Sequence, residues 1–235
     1  MSFVGLNPML ILGIDTSGKS GGVTLAEASE TTGFGVLASA PIAGGTFSAQ
    51  LVPTVAALLE KSRLGIRDID GFAAASGPGS FTGLRVGLSA IKGLAEVLHK
   101  PIATVSLLEA VAASSPQNGK IIAALDAGRS EVFYGLYQVE NGKPTCLNEQ
   151  LISSTELIEY ANKPDIVLTL TSDSLLKEKL SEAGVEVHLT ERPDSSMIAR
   201  IGARKLIAGQ TISVEALDAN YLRRSDAEIF FKGSR

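Results

Sequence analysis

Ser76-Gly77-Pro78-Gly79-Ser80-Phe81-Thr82-Gly83-Leu84-Arg85-Val86-Gly87 is the stretch that leaves this chain the least conformational choice. It follows the short apolar run Gly71-Phe72-Ala73-Ala74-Ala75, which reads as a buried strand, and it opens a helical pattern lasting to about Leu98. A residue before proline is biased away from helix, and Gly79 permits a sharp turn. Ser80 offers an N-cap hydroxyl. Strand, tight turn and helix must therefore follow one another closely. The helix also carries Gly83, Gly87 and Gly93 in its interior, each costing about 1 kcal/mol relative to alanine. Gly83 and Gly87 share a face and Gly93 lies on another. Close backbone packing on the shared face is the simplest compensation. Two readings stay open: the helix presses on its own sheet, or it receives a helix from a second chain.

Upstream, Met9–Ile14 is an apolar run that reads as a buried strand leading into Asp15. Gly13 to Ser20 satisfies the phosphate-loop pattern G-x-x-x-x-G-K-[ST] letter for letter. Such a loop binds phosphate only between a strand and a helix N-terminus. Here Gly13 falls inside the strand, and Gly21-Gly22 is a poor helix start. A β-hairpin is expected instead, with a third strand near Phe34–Ala40.

The pattern returns half a chain later. Ile121–Leu125 ends at Asp126, a polar turn follows, and Glu131–Tyr137 reads as the next strand. Two strand–Asp–turn–strand units, each with helices after it, point to an internal duplication. Between them, a helix over Phe47–Lys61 carries the apolar stripe Leu51, Val55, Leu58 and Leu59. Ile102–Val105 is a strand, and Ser106 caps a helix to about Ala113. The polar segment Ser115–Gly119, with Pro116, sets the expected boundary between lobes 1–114 and 115–235. In the second lobe a turn is expected at Asn141–Pro144, strands over Asp165–Leu170 and Val185–Leu189, and a helix over Ser172–Glu182. The last helix, Met197–Ile207, is left able to pack back on the first lobe.

Composition narrows the chemistry. A net charge of −4 over 235 residues argues against a strongly basic surface that binds RNA unaided. One cysteine, Cys146, excludes an intramolecular disulfide and suits a reducing cytoplasm. Neither a signal-peptide pattern nor a membrane-spanning apolar run is expected. Only His99 and His188 are present, and together with Cys146 they show no metal-ligand spacing. The spacing Gly77-x-Gly79-x-x-x-Gly83 is one residue too long for a dinucleotide fingerprint.

The string Gly77 to Arg85, GPGSFTGLR, resembles the TsaB (YeaZ-like) family of tRNA threonylcarbamoyladenosine biosynthesis. Further matches run from Ile11 to about Tyr137, with a weaker one at Tyr221-Leu222-Arg223. The resemblance implies a two-lobed α/β fold of the actin-like (ribonuclease H-like) class, with duplicated mixed sheets flanked by helices. It implies a non-catalytic subunit for threonylcarbamoyl transfer to the tRNA adenosine beside the anticodon. Implied partners are a TsaD-like catalytic paralogue, a TsaE-like ATPase, a second copy of the chain in isolation, and tRNA through the complex. No cofactor is expected for this chain itself; ATP or ADP with Mg²⁺ enters only in the complex.

Carried onto this sequence, the actin-like fold makes Asp15, Thr16, Ser17 and Asp126 the candidate remnant of a nucleotide site, although turn chemistry also accounts for them. The implied docking surface comprises Phe47, Gln50, Leu51, Thr54, Val55 and Leu58 on the first helix. The glycine-bearing helix adds Phe81, Gly83, Leu84, Arg85, Gly87 and Leu88, so docking becomes the leading reading of its two aligned glycines. Many members have His-Ser ahead of the Gln-Leu pair. This chain has Thr46-Phe47-Ser48-Ala49-Gln50-Leu51, and an exposed Phe47 is expected to add apolar area there. Two other classes stay open: an actin-like ATPase or small-molecule kinase using Asp15 and Asp126, and a metallopeptidase-like protein, against which the scarcity of histidine speaks.

Overall fold

The computed structural model describes residues 8–220 and Leu222; Tyr221, Arg223 and the tail from Ser225 lie outside the described residues. Strand β1 (Met9–Asp15) is buried along nearly all its length, as an unbroken apolar run requires of a strand covered on both faces. It pairs antiparallel with β2 (Ser20–Ser29) and parallel with β4 (Gly71–Gly77). With β3 (Gly33–Ala43) and β5 (Ile102–Ser106) the sheet order is β3-β2-β1-β4-β5.

A second sheet repeats this plan with β6 (Gly119–Gly128), β7 (Glu131–Glu140), β8 (Lys143–Ser153), β9 (Ile166–Thr171) and β10 (Val187–Thr190). Its order, read from β8, is β8-β7-β6-β9-β10. The two outer edge strands also share an irregularity. The register of edge strand β3 slips at Leu37, and that of edge strand β8 slips at Leu147, each an extra residue bulged out of the ladder. The duplicated, mixed-sheet α/β architecture expected from the two hairpins is therefore present.

The helices are α1 (Phe47–Lys61), α2 (Phe81–Leu98), α3 (Leu107–Ala113), α4 (Ser154–Ala161), α5 (Leu176–Glu182) and α6 (Ser195–Ile207). Residues 8–105 with Asp194–Ala219 make one compact unit, and Ser106–Pro193 with Asn220 make the other. This division differs from the boundary expected after residue 114 by helix α3, which packs on β6 and β7. Helix α6 packs on β1, β2 and β4. Its seat is lined by residues without bulk: a Cβ on Gly13 would stand 2.6 Å from the Ala199 Cβ, and one on Gly71 would stand 2.8 Å from Leu206 Cδ1.

The first unit's core joins Leu12, Ile14 and Phe72 of the sheet to Leu51, Leu58, Leu84 and Ile91 of α1 and α2. Strand β8 and helix α4 were not foreseen from sequence, and α5 starts at Leu176 rather than Ser172.

Candidate functional site

The turn after β1 is held from both ends. Asp15 is 2% exposed, and its Oδ1 accepts from the Ser17 N–H at 2.8 Å and the Ser17 hydroxyl at 2.5 Å. Thr16 Oγ1 donates to the Gly83 carbonyl at 2.7 Å, and the Ser80 N–H donates to the Ser17 carbonyl at 2.7 Å. The Ser80 hydroxyl in turn accepts from Gly83 N–H, capping α2 as expected. The start of α2 and the β1–β2 turn thus form one hydrogen-bonded unit. Strand β2 begins at Ser20, so the phosphate-loop pattern closes a hairpin and opens no helix. In the other unit Asp126 is exposed, and its Oδ1 accepts from Gly128 N–H at 2.8 Å. Asp15 and Asp126 each stabilise their own turn, the chemistry expected of Asx residues.

This geometry corrects the docking reading of the two aligned glycines. A Cβ on Gly83 would collide with the Thr16 carbonyl oxygen, and one on Gly87 with Thr16 Oγ1. Their shared face is filled by the chain's own turn, so no foreign backbone approaches there. Val55, Leu58, Leu84 and Leu88 are likewise buried in the unit's own core. Phe47 is 5% exposed rather than standing at the surface, because its ring occupies the space left by Gly21.

What α1 and α2 do present is a shallow open groove of about 550 Å³ between them. Helix α1 contributes Phe47, Ser48, Leu51 and Val52; α2 contributes Phe81, Thr82, Arg85, Val86, Ser89 and Ala90. Val52 is 68% exposed and Phe81 37%. The Arg85 guanidinium lies 3.8 Å from the centre of the Phe81 ring, a cation–π contact that holds both side chains at the rim. Four of the expected docking residues, Phe47, Leu51, Phe81 and Arg85, line this groove. Gln50 is exposed on α1 and Thr54 half-buried, but neither lines it. The sequence reading missed Ser48, Val52, Thr82, Val86, Ser89 and Ala90. The signal available for them was helical spacing: Val52 follows Ser48 by four, and Ser89 follows Arg85 by four.

Among the described residues no group of three or more His, Cys, Asp or Glu side chains is arranged to hold a metal ion. His99 ends α2 in the left-handed conformation at φ 53° and is exposed, while His188 lies in β10 and Cys146 is exposed on β8. Among the described residues no helix is long and apolar enough to cross a membrane.

Comparison with known proteins gives concordant matches. A family model described as TsaD, tRNA N6-adenosine threonylcarbamoyltransferase, matches residues 27–208. The chain is similar to the tRNA threonylcarbamoyladenosine biosynthesis protein TsaB of Bacillus subtilis (strain 168), 31% identical over 230 residues covering 94% of this chain and 96% of that protein. It is also similar to TsaB of Escherichia coli (strain K12), 30% identical over 196 residues, 76% of this chain and 81% of that one. Among solved structures, a Pseudomonas aeruginosa protein described as uncharacterized with similarity to peptidase YEAZ shares the fold. Its TM-score is 0.73 at 23% identity, over 92% of this chain and 100% of that chain.

Proposed function

Because the chain belongs to the TsaB family of tRNA threonylcarbamoyladenosine biosynthesis proteins, we propose that it is a non-catalytic subunit docking a TsaD-like catalytic paralogue through the α1–α2 groove. The observation that carries this reading is the groove itself. Apolar Val52 and Phe81 stand exposed beside buried Phe47 and Leu51, and Arg85 is held over an aromatic ring at the rim. Aromatic and arginine side chains of this kind anchor protein interfaces. The groove's open shape and apolar lining suit the ridge of a partner helix.

In this reading a TsaE-like ATPase joins the assembly, tRNA is met through the complex, and a second copy of the chain occupies the groove in isolation. ATP or ADP with Mg²⁺ belongs to the complex, and the work is done in the cytoplasm. The turn-bound carboxylates of Asp15 and Asp126 agree with leaving chemistry to the partner.

The decisive experiment reconstitutes tRNA modification from purified components with and without this chain. Modification that depends on the chain, while the chain alone neither transfers the threonylcarbamoyl group nor cleaves ATP, supports the reading; either activity in the isolated chain overturns it. Val52→Asp places a charge in the groove at an exposed position. It is expected to leave folding within about 0.5 kcal/mol of the parent and to weaken association with the catalytic paralogue about tenfold or more, read by titration calorimetry.

A further inference from the structure

Glu149 on β8 is a carboxylate ringed by donors from three separate stretches of chain. Its Oε1 accepts from the Tyr137 hydroxyl and from Ser106 Oγ at 2.5 Å, and its Oε2 accepts from Asn220 Nδ2 at 2.7 Å. The cluster is built into the second sheet. Gly135 lies opposite Glu149 in the β7–β8 register, and a Cβ there would stand 2.6 Å from Tyr137 Cε2. The missing side chain lets the Tyr137 ring lie across the strand towards the carboxylate.

Proton directions are fixed by the partners. Ser106 Oγ accepts from Leu108 N–H as the N-cap of α3, which leaves its single proton for Glu149. Burial first, and then the charge of Glu149, push the Tyr137 phenol far above its ordinary range, so it remains a donor. All three contacts are charge-assisted, roughly twice as strong as neutral ones.

Ser106 is the residue at which the chain passes from β5 into the second unit, and Asn220 is the one at which it re-enters that unit after α6. We propose that Glu149 is a positioning residue that anchors both of these entering segments, so that losing one carboxylate releases the two together. The shared acceptor makes them a coupled network rather than two independent contacts, and Tyr137, with no exposed surface, holds the carboxylate from beneath. The inference stands apart from the docking reading, since no residue of the groove takes part.

Amide hydrogen exchange on the full chain tests it. Glu149→Ala is expected to raise exchange about tenfold or more both at Leu107–Glu109 and at Asn220 and Leu222, whose N–H donates to the Asn220 carbonyl, while β6 and β9 stay within about twofold. Asn220→Ala is expected to raise exchange only at residue 220 and Leu222. If either segment keeps its parent protection in Glu149→Ala, or if β6 and β9 rise by the same factor as the two segments, the anchor role is refuted. Should Glu149→Ala not fold, Glu149→Gln, which keeps the shape without the charge, is read by the same pattern at smaller amplitude.

Discussion

Substituting Gly87 and substituting Gly93 should have opposite signs, although both sit in the middle of α2. At Gly87 a new Cβ meets Thr16 Oγ1, so Gly87→Ala is expected to destabilise by about 1–3 kcal/mol, the usual cost of overpacking. At Gly93 nothing lies within 4 Å, and Gly93→Ala is expected to stabilise by about 1 kcal/mol through helix propensity alone. Urea denaturation of the two variants checks both. Helical spacing was enough to place Gly83 and Gly87 on one face and to set Gly93 apart. It could not say what fills that face, because a partner helix and the chain's own Thr16 turn make the same demand, the absence of a Cβ. The candidate site was legible to the same extent: Phe81 and Arg85 follow from their place in the string, whereas Val52 is recognised only once the packing of α1 shows which side it leaves open.

Helix α4 shows what determines the shorter elements. Its N-cap Ser153 accepts from Glu156 N–H at 3.2 Å, and Glu156 Oε2 accepts from the Ser153 N–H at 2.8 Å, a reciprocal capping box. The bonds from the Ser153 backbone, then its hydroxyl, hold the Glu156 carboxyl below its ordinary range. Its folded value lies under the unfolded one, so the box contributes fully above the usual carboxylate range and is lost as pH falls through the folded value. An NMR titration of the Glu156 side chain should show a midpoint below the ordinary value of about 4.3. Ser153→Ala should return it towards that value and cost about 1 kcal/mol.

The strand before this helix, Lys143–Ser153, escaped the sequence reading for a related reason. It is largely exposed, contains Pro144, and alternates poorly because Leu147 is bulged out. Its strand character comes from pairing with β7, and long-range pairing leaves little mark on local composition. The central strands β1, β4 and β6 were readable because burial on both faces writes itself directly as apolar runs.

At the scale of the whole molecule, the first unit is assembled from two distant stretches of sequence. Residues 8–105 supply the sheet and its helices α1 and α2, and α6 returns after the Ser106–Pro193 stretch of the second unit to pack on β1, β2 and β4. A chain ended after Pro193 should therefore leave the seat at Gly13, Gly71 and Ala73 uncovered. It is expected to bind a hydrophobic dye and lose cooperative melting of the first unit, while amides of β6 and β9 keep their protection. Dye fluorescence together with amide exchange distinguishes this from general unfolding. The order of synthesis gives the same fact another meaning. As the polypeptide leaves the ribosome, all five strands of the first sheet have emerged by Ser106, whereas α6 follows only after the strands of the second sheet. The sheet made first thus waits for its covering helix until the second sheet has emerged, and in the interval its uncovered apolar surface is a natural target for chaperones.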